Sequence, residues 1–510
     1  MPLTLAEAGQ LADQLLSELQ NRTSKVERGV SYYKGEHPLR FASDSFRKHF
    51  EAQYKGFSDN WTQVVADSPV ERLEVTGVKP EGLTAADKKL WGVWQRNGLD
   101  ADSQLGFLGA GYGARAFVLV WGDPDDEDTP EVTFEDARQA IVMYVPGSRR
   151  KRYAALKSWR DGSRVYCTLY LKDEVWKLER AVSGEPNKSA SMQAAEDLTK
   201  GFTLRDTKDA PNPQPNPMGV VPMVELPNRP LLAEEPISDV TGVIAMQDAI
   251  NLLWAQLFTA SDFASFPQRL ILGAEAPMTP ILDKNGQVIG KKPVDLAKFA
   301  VDRILWITDE KAKAANWPAA NLKAYTEVLE VGVGHIAAQT RTPSHYLIGR
   351  MANLSGDALV AAETGLVKKA QEKMLWFGVA IREVFRLIAL ARGETGLARG
   401  LAGGQVLWRD AESRNQAQAA DMLLKLKQVG FPFEWLALRF GLSPTEVADL
   451  IEMREAEAEM DPSAVILGQR PRDSLTGGGP GAAPGADDGL DHEPAPDPAE
   501  REPALAGAWT

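Results

Sequence analysis

The chain has 510 residues, 44% of them apolar and 25% charged, a globular composition with room for roughly three or four domains. Its single cysteine, Cys167, excludes an intrachain disulfide and a four-thiolate zinc site, and it favours a reducing, intracellular setting. With 57 basic and 70 acidic residues the net charge is −13, which argues against tight, nonspecific winding of DNA on the surface but not against transient contact.

The N-terminal part is predicted to be helical. Four leucines recur there at near-helical spacing: Leu5, Leu11, Leu15 and Leu19. We expect this helix to end around Asn21, before a turn over residues 32–39. Further helices are predicted from Ser43 and over residues 60–73, the latter interrupted by Pro69.

A β-rich region is predicted between Leu105 and Pro222. Short apolar runs between polar turns indicate strands at 116–121, 140–145, 164–170 and 175–180. The glycines at 106, 109, 111 and 113 resemble a dinucleotide-binding loop, but they precede a strand where that loop follows one. We therefore interpret them as close-packing and turn positions. The proline-rich segment 211–217 is predicted to be an extended spacer.

Helices are predicted to dominate after Ser238, which is a suitable N-cap with Asp239 in the first turn. A small insert follows, with strand-like residues at 269–272 and 303–308 and a hairpin turn at 283–286. A further helix is predicted over residues 321–339. The helical regions are thus separated by one β-containing insert.

The longest predicted helix runs from Gly356 to about Arg392, after a loop over residues 340–355. About 36 helical residues span roughly 54 Å, more than the width of a small domain, so we expect the helix to cross a large assembly or to border several domains. Gly365 and Gly378 each cost ~1 kcal/mol relative to alanine, which predicts a kink or close packing at both.

The sequence predicts a soluble protein without a membrane partner. Glu7 and Asp13 lie where a signal peptide would be basic and then apolar. The most apolar stretch, residues 374–390, contains charged side chains at Arg382, Glu383 and Arg386 and cannot lie in lipid.

The C-terminal region is predicted to contain a compact helical piece, residues 411–459, and a disordered acidic tail, residues 461–510. Residues 471–510 contain seven prolines, seven glycines, eight acids and two arginines, a net charge of 2 − 8 = −6. Such a composition buries too little apolar surface to offset the entropy of ordering.

No catalytic, cofactor-binding or metal site is predicted. The sequence lacks a phosphate-binding loop with its lysine, a nucleophile elbow and a zinc-protease helix motif. The acidic run 123–128 lacks the alternating ligands of a calcium loop and is interpreted as solvated. The five histidines are scattered, and only the distant His335 and His345 come near metal-ligand spacing.

Residues 433–450 resemble a helix-turn-helix. Gly441 lies in the turn, Ser443 caps the second helix and Glu446 completes a capping box. A recognition helix must approach phosphates, but this second helix carries many acids and a single basic residue, Arg454. We therefore interpret the motif as a helical packing unit.

Taken in order, these elements resemble the portal protein family of tailed bacteriophages, in particular the branch from phages of actinobacteria. The resemblance covers about residues 1–460. It depends on the motifs YYKGEHPL at 32–39, Asn60-Trp61, VPMVELPN at 221–228, and PSHYLIG at 343–349 followed by NLSGDAL at 353–359.

The resemblance implies a mainly helical α+β portal fold in which a long helix borders a channel. Its expected parts are an N-terminal wing (1–236, helical then β-rich), a stem helix (237–262), a clip (263–318), a second stem helix (319–339), a tunnel loop (340–356), the long helix and C-terminal wing (357–408), a helical crown (409–460) and the disordered tail (461–510).

The resemblance also implies function and partners. A family member forms a ring, usually of twelve subunits, at one capsid vertex, through which double-stranded DNA is packaged and ejected. The expected partners are further copies of the chain, the terminase large subunit, a head-tail adaptor, the major capsid protein and a scaffolding protein. The protein would be a virion component, present in the host cytoplasm during assembly, and not an enzyme.

The implied tunnel loop supplies the candidate site residues Arg341, His345 and Arg350. No acid lies among them, although the chain is acidic elsewhere. Facing a channel, they would contact DNA phosphates without reading sequence. The alternative is that both arginines pair with acids of neighbouring loops or helices.

Two other classes of protein remain as alternatives. One is a DNA-binding regulator that uses residues 433–450, which the acidic second helix disfavours. The other is an enzyme with a nonstandard site at Arg341, His345 and Arg350, which soluble activity of a lone subunit would favour.

Overall fold

A computed structural model describes residues 3–53, 57–83, 86–182, 201–208, 210–265, 269–272, 278–283, 286–293, 304–307, 321–348, 356–412, 416–442 and 444–460. Residues 1–451 make up one compact unit. Of the second unit, residues 452–510, the described part is 452–460, the last turns of a helix. The predicted disordered tail, 461–510, lies outside the described residues.

The described chain mixes helices and sheets, as the sequence predicted. The helices are α1 (Leu5–Tyr33), α2 (Asp44–Gln53), α3 (Trp61–Val70), α4 (Lys88–Arg96), α5 (Leu99–Gly113), α6 (Ile244–Ser265), α7 (Leu322–Thr340), α8 (Ser344–Ile348), α9 (Gly356–Ala391), α10 (Thr395–Ala402), α11 (Gln416–Gln428), α12 (Phe433–Phe440) and α13 (Pro444–Met460). A 3₁₀ turn, Thr241–Val243, precedes α6. No described helix is long and apolar enough to cross a membrane.

The strands form several small sheets and one larger sheet. They are β1 (Val75–Lys79), β2 (Arg115–Trp121), β3 (Glu131–Glu135), β4 (Ala140–Tyr144), β5 (Arg152–Asp161), β6 (Arg164–Tyr170), β7 (Glu174–Ala181), β8 (Thr203–Leu204), β9 (Gln214–Pro215), β10 (Met223–Pro227), β11 (Arg269–Leu272), β12 (Met278–Leu282), β13 (Val288–Pro293), β14 (Ile304–Ile307) and β15 (Gln405–Trp408). The larger sheet has the antiparallel order β4-β5-β6-β7-β8, with β9 also paired to β7.

The first helix is longer than predicted. It begins with a capping box between Thr4 and Glu7 and continues past Asn21 to Tyr33. The leucine stripe ends at Leu19, but the buried face goes on through Val26 and Tyr32, with polar side chains between them. The prediction, which depended on the spacing of large apolar residues alone, therefore missed the last three turns of α1.

The proline-rich segment is not a free spacer. Gln214 and Pro215 pair with β7. The side chain of Asn212 accepts from the Lys177 N–H and donates to the Lys177 carbonyl, so a side chain supplies ladder bonds beside prolines that lack an N–H. The segment forms one edge of the larger sheet.

The long helix lies at the centre of the largest core. Phe377 of α9 stacks on Phe107 of α5 at 5.2 Å between ring centroids, and Phe385 stacks on Trp94 of α4 at 5.3 Å. All four side chains are fully buried, and stacked pairs of this kind contribute about 0.5–1.5 kcal/mol beyond their buried area. The α9 helix therefore holds the helical and sheet layers together.

The glycines at 106–113 lie on a helix, α5, so the prediction of turn positions in a β-rich region from Leu105 was wrong, whereas the predicted close packing holds at Gly106. A Cβ at Gly106 would lie 2.0 Å from the ring of Phe134 on β3. On α1, a Cβ at Gly29 would lie 2.1 Å from the Tyr112 carbonyl oxygen of α5. Glycine at these places lets α5 approach both a strand and a second helix.

The later elements follow the predicted order. Helices α6 and α7 flank an insert in which β11 pairs with β14 in parallel and β12 pairs with β13 in a hairpin around Asp283. Asn321 caps α7 by accepting from the Lys323 N–H. The 36-residue α9 then follows the segment 341–355.

Candidate functional site

The junction between α7 and α9 positions the first residue of the predicted loop site. Arg341 ends α7 in a left-handed conformation with φ +56°, which residues other than glycine seldom adopt. The next N–H, of Thr342, donates to the Ala337 carbonyl at 3.0 Å. A Cβ at Gly365 of α9 would lie 3.3 Å from the Arg341 Cβ, which confirms the close packing predicted there.

Two of the three predicted site residues lie near carboxylates of α9. Arg341 Nη1 is 3.4 Å from Glu372 Oε2, and both side chains are more than half exposed. His345 Nε2 is 3.8 Å from Glu363 Oε1, and the histidine is largely buried. Arg350 lies outside the described residues. Within one subunit, Arg341 therefore forms the type of ion pair that the sequence left as the alternative to DNA contact.

Arg72 holds the short helix α8 against α9. Its Nη2 is 3.0 Å from both Glu363 Oε2 and the Tyr346 hydroxyl, and its Nη1 donates to the Ala411 carbonyl at 2.7 Å. Sequence reasoning missed Arg72, because nothing local links it to residues more than 270 positions away. This arginine fixes the first part of the predicted tunnel loop.

A buried charge cluster lies beside the junction. Lys373 Nζ of α9 is 2.6 Å from Asp239 Oδ2 and also donates to the Asn228 side-chain oxygen. Lys369 Nζ, one turn earlier, is 3.6 Å from Asp239 Oδ1. All three ionisable side chains are at least nine-tenths buried, so two lysines share one carboxylate.

Burial and the neighbouring charges shift the pKa values of this cluster in opposite directions. Burial lowers the pKa of Lys369 to about 8, although Asp239 acts in the opposite direction. Burial alone would raise the pKa of Asp239, but Lys373 and Lys369 hold it below its usual value. Asp239 Oδ1 has no hydrogen-bond partner among the described residues. The cluster thus carries one more positive than negative charge at neutral pH.

A cavity of about 160 Å³ extends from this cluster to the junction. Its lining includes Asp239, Lys369 and Lys373, with Arg341 and Trp376. Arg229, which is exposed and follows β10 in the chain, also lines the cavity. Cationic side chains outnumber acidic ones in the lining, so the cavity is a basic surface in an acidic chain.

The motifs around residues 32–39 and 60–61 meet in space. Gly35 turns the chain with φ +76°, and Asn60 Nδ2 donates to the Tyr33 carbonyl at 2.8 Å. His37 places Nε2 3.1 Å from the Tyr32 carbonyl and Nδ1 2.8 Å from Asn251 Nδ2 of α6. These contacts tie the end of α1 to α6, and burial lowers the pKa of His37.

Residues 433–450 contain two helices joined by a short turn, in which Ser443, the predicted cap of the second helix, lies outside the described residues. Helix α12 ends at Phe440, Gly441 has φ +108°, and α13 begins at Pro444. The order of helix, turn and helix agrees with the sequence pattern, but the acids of α13 are unsuited to contact with phosphates. Among the residues that the structure describes, no group of three His, Cys, Asp or Glu side chains could hold a metal ion.

The structure thus has one insert between two helices, followed by a turn and a long central helix, and the sequence comparisons identify the family. The phage portal protein family, SPP1 Gp6-like, matches residues 12–458, and the chain belongs to this family. The predicted family resemblance is thereby confirmed.

Two relatives are portal proteins of mycobacteriophages. The portal protein of Mycobacterium phage L5 is 26% identical over 463 residues, covering 88% of each chain. The portal protein of Mycobacterium phage D29 is 26% identical over 471 residues, covering 89% of this chain and 90% of its own. Both relatives come from phages of actinobacteria, the branch that the sequence motifs indicated.

Proposed function

We propose that the protein forms a closed ring, a dodecamer, at one capsid vertex and that double-stranded DNA passes through its central channel during packaging and ejection. The family match over residues 12–458 carries this proposal. The ring would also be the docking platform for the terminase large subunit, the head-tail adaptor, the major capsid protein and a scaffolding protein. It would be a virion component, assembled in the host cytoplasm.

The order of elements supports the proposed assignment of parts. Helices α6 and α7 would be the stem, the strands between them the clip, and residues 340–356 the tunnel loop. Residues 1–236 and 357–408 would form the wing, and 409–460 the crown. The two helices flank the insert as this layout requires, and α7 leads directly into the loop.

The tunnel loop is the proposed DNA-contacting segment. Arg341 is paired with Glu372 across 3.4 Å, and an exposed pair of this kind contributes only about 0–1 kcal/mol. Arg341 can therefore exchange that carboxylate for a phosphate at small cost. Contacts to phosphates carry no sequence information, which suits DNA that moves through a channel.

Purified protein tests the ring directly. Negative-stain electron micrographs should show a wide ring with a central hole, and light scattering should give a mass many times the 55.7 kDa of one chain. A monomer by both methods at micromolar concentration would contradict the proposal. Measuring before and after addition of DNA separates self-assembly from assembly that needs the nucleic acid.

A further inference from the structure

Two helices present apolar side chains to solvent. On α7, the residues that repeat at three- and four-residue spacing on the outer face form the α7 stripe: Ala324, Glu327, Val328, Val331, His335 and Ala338. On α9, the corresponding exposed residues form the α9 stripe: Glu372, Leu375, Trp376 and Val379. The valines of the α7 stripe are 52% and 57% exposed, and Leu375 is 70% exposed.

The opposite faces of both helices are already used within the subunit. Leu329, Val333 and Ile336 of α7 are buried in a cluster with α6. Phe377 and Ile381 of α9 lie in the main core. The apolar side chains of the two stripes thus face solvent within one subunit, with the charged members Glu327 and Glu372 among them.

The surroundings of the two stripes differ in charge. The α9 stripe borders the basic cavity, whose lining holds Arg229, Arg341, Lys369 and Lys373 against Asp239 and Glu372. The α7 stripe carries the carboxylate of Glu327, which lies 3.8 Å from Lys323 with both side chains well exposed. That pair is weak and exchangeable, so Glu327 can face a second cationic group.

We propose that the α7 stripe of one subunit packs against the α9 stripe of the next copy of the chain, with Glu327 facing the basic cavity mouth. The inference depends on the proposed ring and adds the surfaces that build it. Because the two stripes are different surfaces, their contact is heterologous, and a heterologous contact that closes produces a ring. Apolar side chains would form its centre and charges its rim.

Cysteine cross-linking tests the contact, because Cys167 is the only native thiol and is buried. In a Cys167→Ser background, Val328→Cys or Val331→Cys is combined with Trp376→Cys or Val379→Cys in one chain. Rings are oxidised and then separated by denaturing, non-reducing electrophoresis. A head-to-tail contact should give a ladder of linked chains for at least one of the four pairs, since a disulfide needs Cα atoms within about 7 Å.

Mixing and a matched control sharpen the result. Rings assembled from a Val331→Cys chain and a Trp376→Cys chain should give dimers but no longer products. Thr326→Cys, exposed on another side of α7, should give no ladder with either α9 position. Intact rings in which no stripe pair links above the Thr326→Cys control would overturn the interface while leaving the ring itself standing.

Charge placed on either stripe provides a second readout. Val331→Arg and Val379→Arg should shift the protein from rings to monomers, whereas Thr326→Arg should leave rings intact. Ring formation by Val331→Arg and Val379→Arg at the wild-type level would contradict the proposal. Failure of the wild-type chain to form rings would instead count against the proposed function.

Discussion

Two charged regions line one cavity, and they differ in exposure. Asp239, Lys369 and Lys373 are buried, with 2.6 Å between the closest charged atoms of Asp239 and Lys373. Arg341 and Glu372 are more than half exposed and 3.4 Å apart. Both regions depend on α9, but water screens only the second.

The difference in exposure distinguishes a charge cluster that stabilises the fold from an ion pair that can exchange its partner. Removing one partner of a buried pair leaves an uncompensated charge, whereas an exposed partner regains water. The buried cluster also joins Asn228 and Asp239 to Lys373 of α9, which is 145 and 134 positions away in sequence. We therefore expect the cluster to determine stability and the exposed pair to be available to DNA.

Asp239→Asn should give the largest effect, because it leaves two buried lysines without a carboxylate. We expect a loss of about 3–5 kcal/mol in the free energy of unfolding, the range for breaking a buried pair. Chemical denaturation at pH 7 measures this loss. Glu372→Gln, which removes the acid of the exposed pair, is the matched control and should cost less than about 1 kcal/mol. Equal losses in the free energy of unfolding for Asp239→Asn and Glu372→Gln would contradict the distinction between the buried cluster and the exposed pair.

Lys369→Met should raise the free energy of unfolding at neutral pH, because it leaves one buried lysine for one buried carboxylate. The pKa of Lys369 is about 8 in the folded protein, against 10.5 for an unperturbed lysine, so burying the charge costs up to about 3 kcal/mol below pH 8. The unfolded chain keeps the proton between pH 8 and 10.5, so this penalty declines as the pH rises through that window. The methionine should be stabilising at pH 7.

The pH dependence is the decisive measurement for Lys369. The difference in unfolding free energy between wild type and Lys369→Met should shrink steadily from about pH 8 to about pH 10. Surface Lys425→Met, which removes a lysine that is 71% exposed beside Asp421, should show no such trend. A difference that stays constant across the window would mean that Lys369 does not lose its proton there.

The sequence predicted most elements where apolar periodicity is continuous. Helices α7 and α9 and the insert strands β11 and β14 follow from local pattern, whereas α5 was missed because its glycines were interpreted as turn positions in a β-rich region. The last turns of α1 were missed because Arg22 and Thr23 interrupt the apolar stripe while being buried. The edge strand at Gln214 was missed because a side chain, that of Asn212, supplies the ladder bonds.

The charged sites were less predictable than the fold. Lys369 and Lys373 stand one turn apart on an otherwise apolar face, which was a usable signal, but their partner Asp239 lies 130 positions before Lys369. The sequence predicted Ser238 as an N-cap with Asp239 in the first turn of a helix, but α6 begins at Ile244, and Asp239 lies before it and is fully buried. A charged side chain is buried where a partner distant in sequence pairs with it. Such a pairing cannot be read from the local pattern of a single sequence.

The smallest effect on stability is expected for the double variant Arg341→Ala, Arg350→Ala. The pair with Glu372 is exposed, so its loss should change the free energy of unfolding by less than about 1 kcal/mol, and rings should still form. DNA packaging or retention should nevertheless fall, because each subunit would lose two positive charges from the proposed channel loop. Particle assembly with quantified encapsidated DNA measures this effect.

A matched control for that variant is Arg149→Ala, Arg150→Ala, which removes two exposed arginines from the turn between β4 and β5. Both double variants change the net charge of the chain equally, so a general electrostatic effect on DNA would appear in both. A packaging defect confined to the loop variant would support phosphate contact, because only position would distinguish the two. Normal packaging and retention in intact rings of the loop variant would leave the Arg341–Glu372 pair as a purely structural contact.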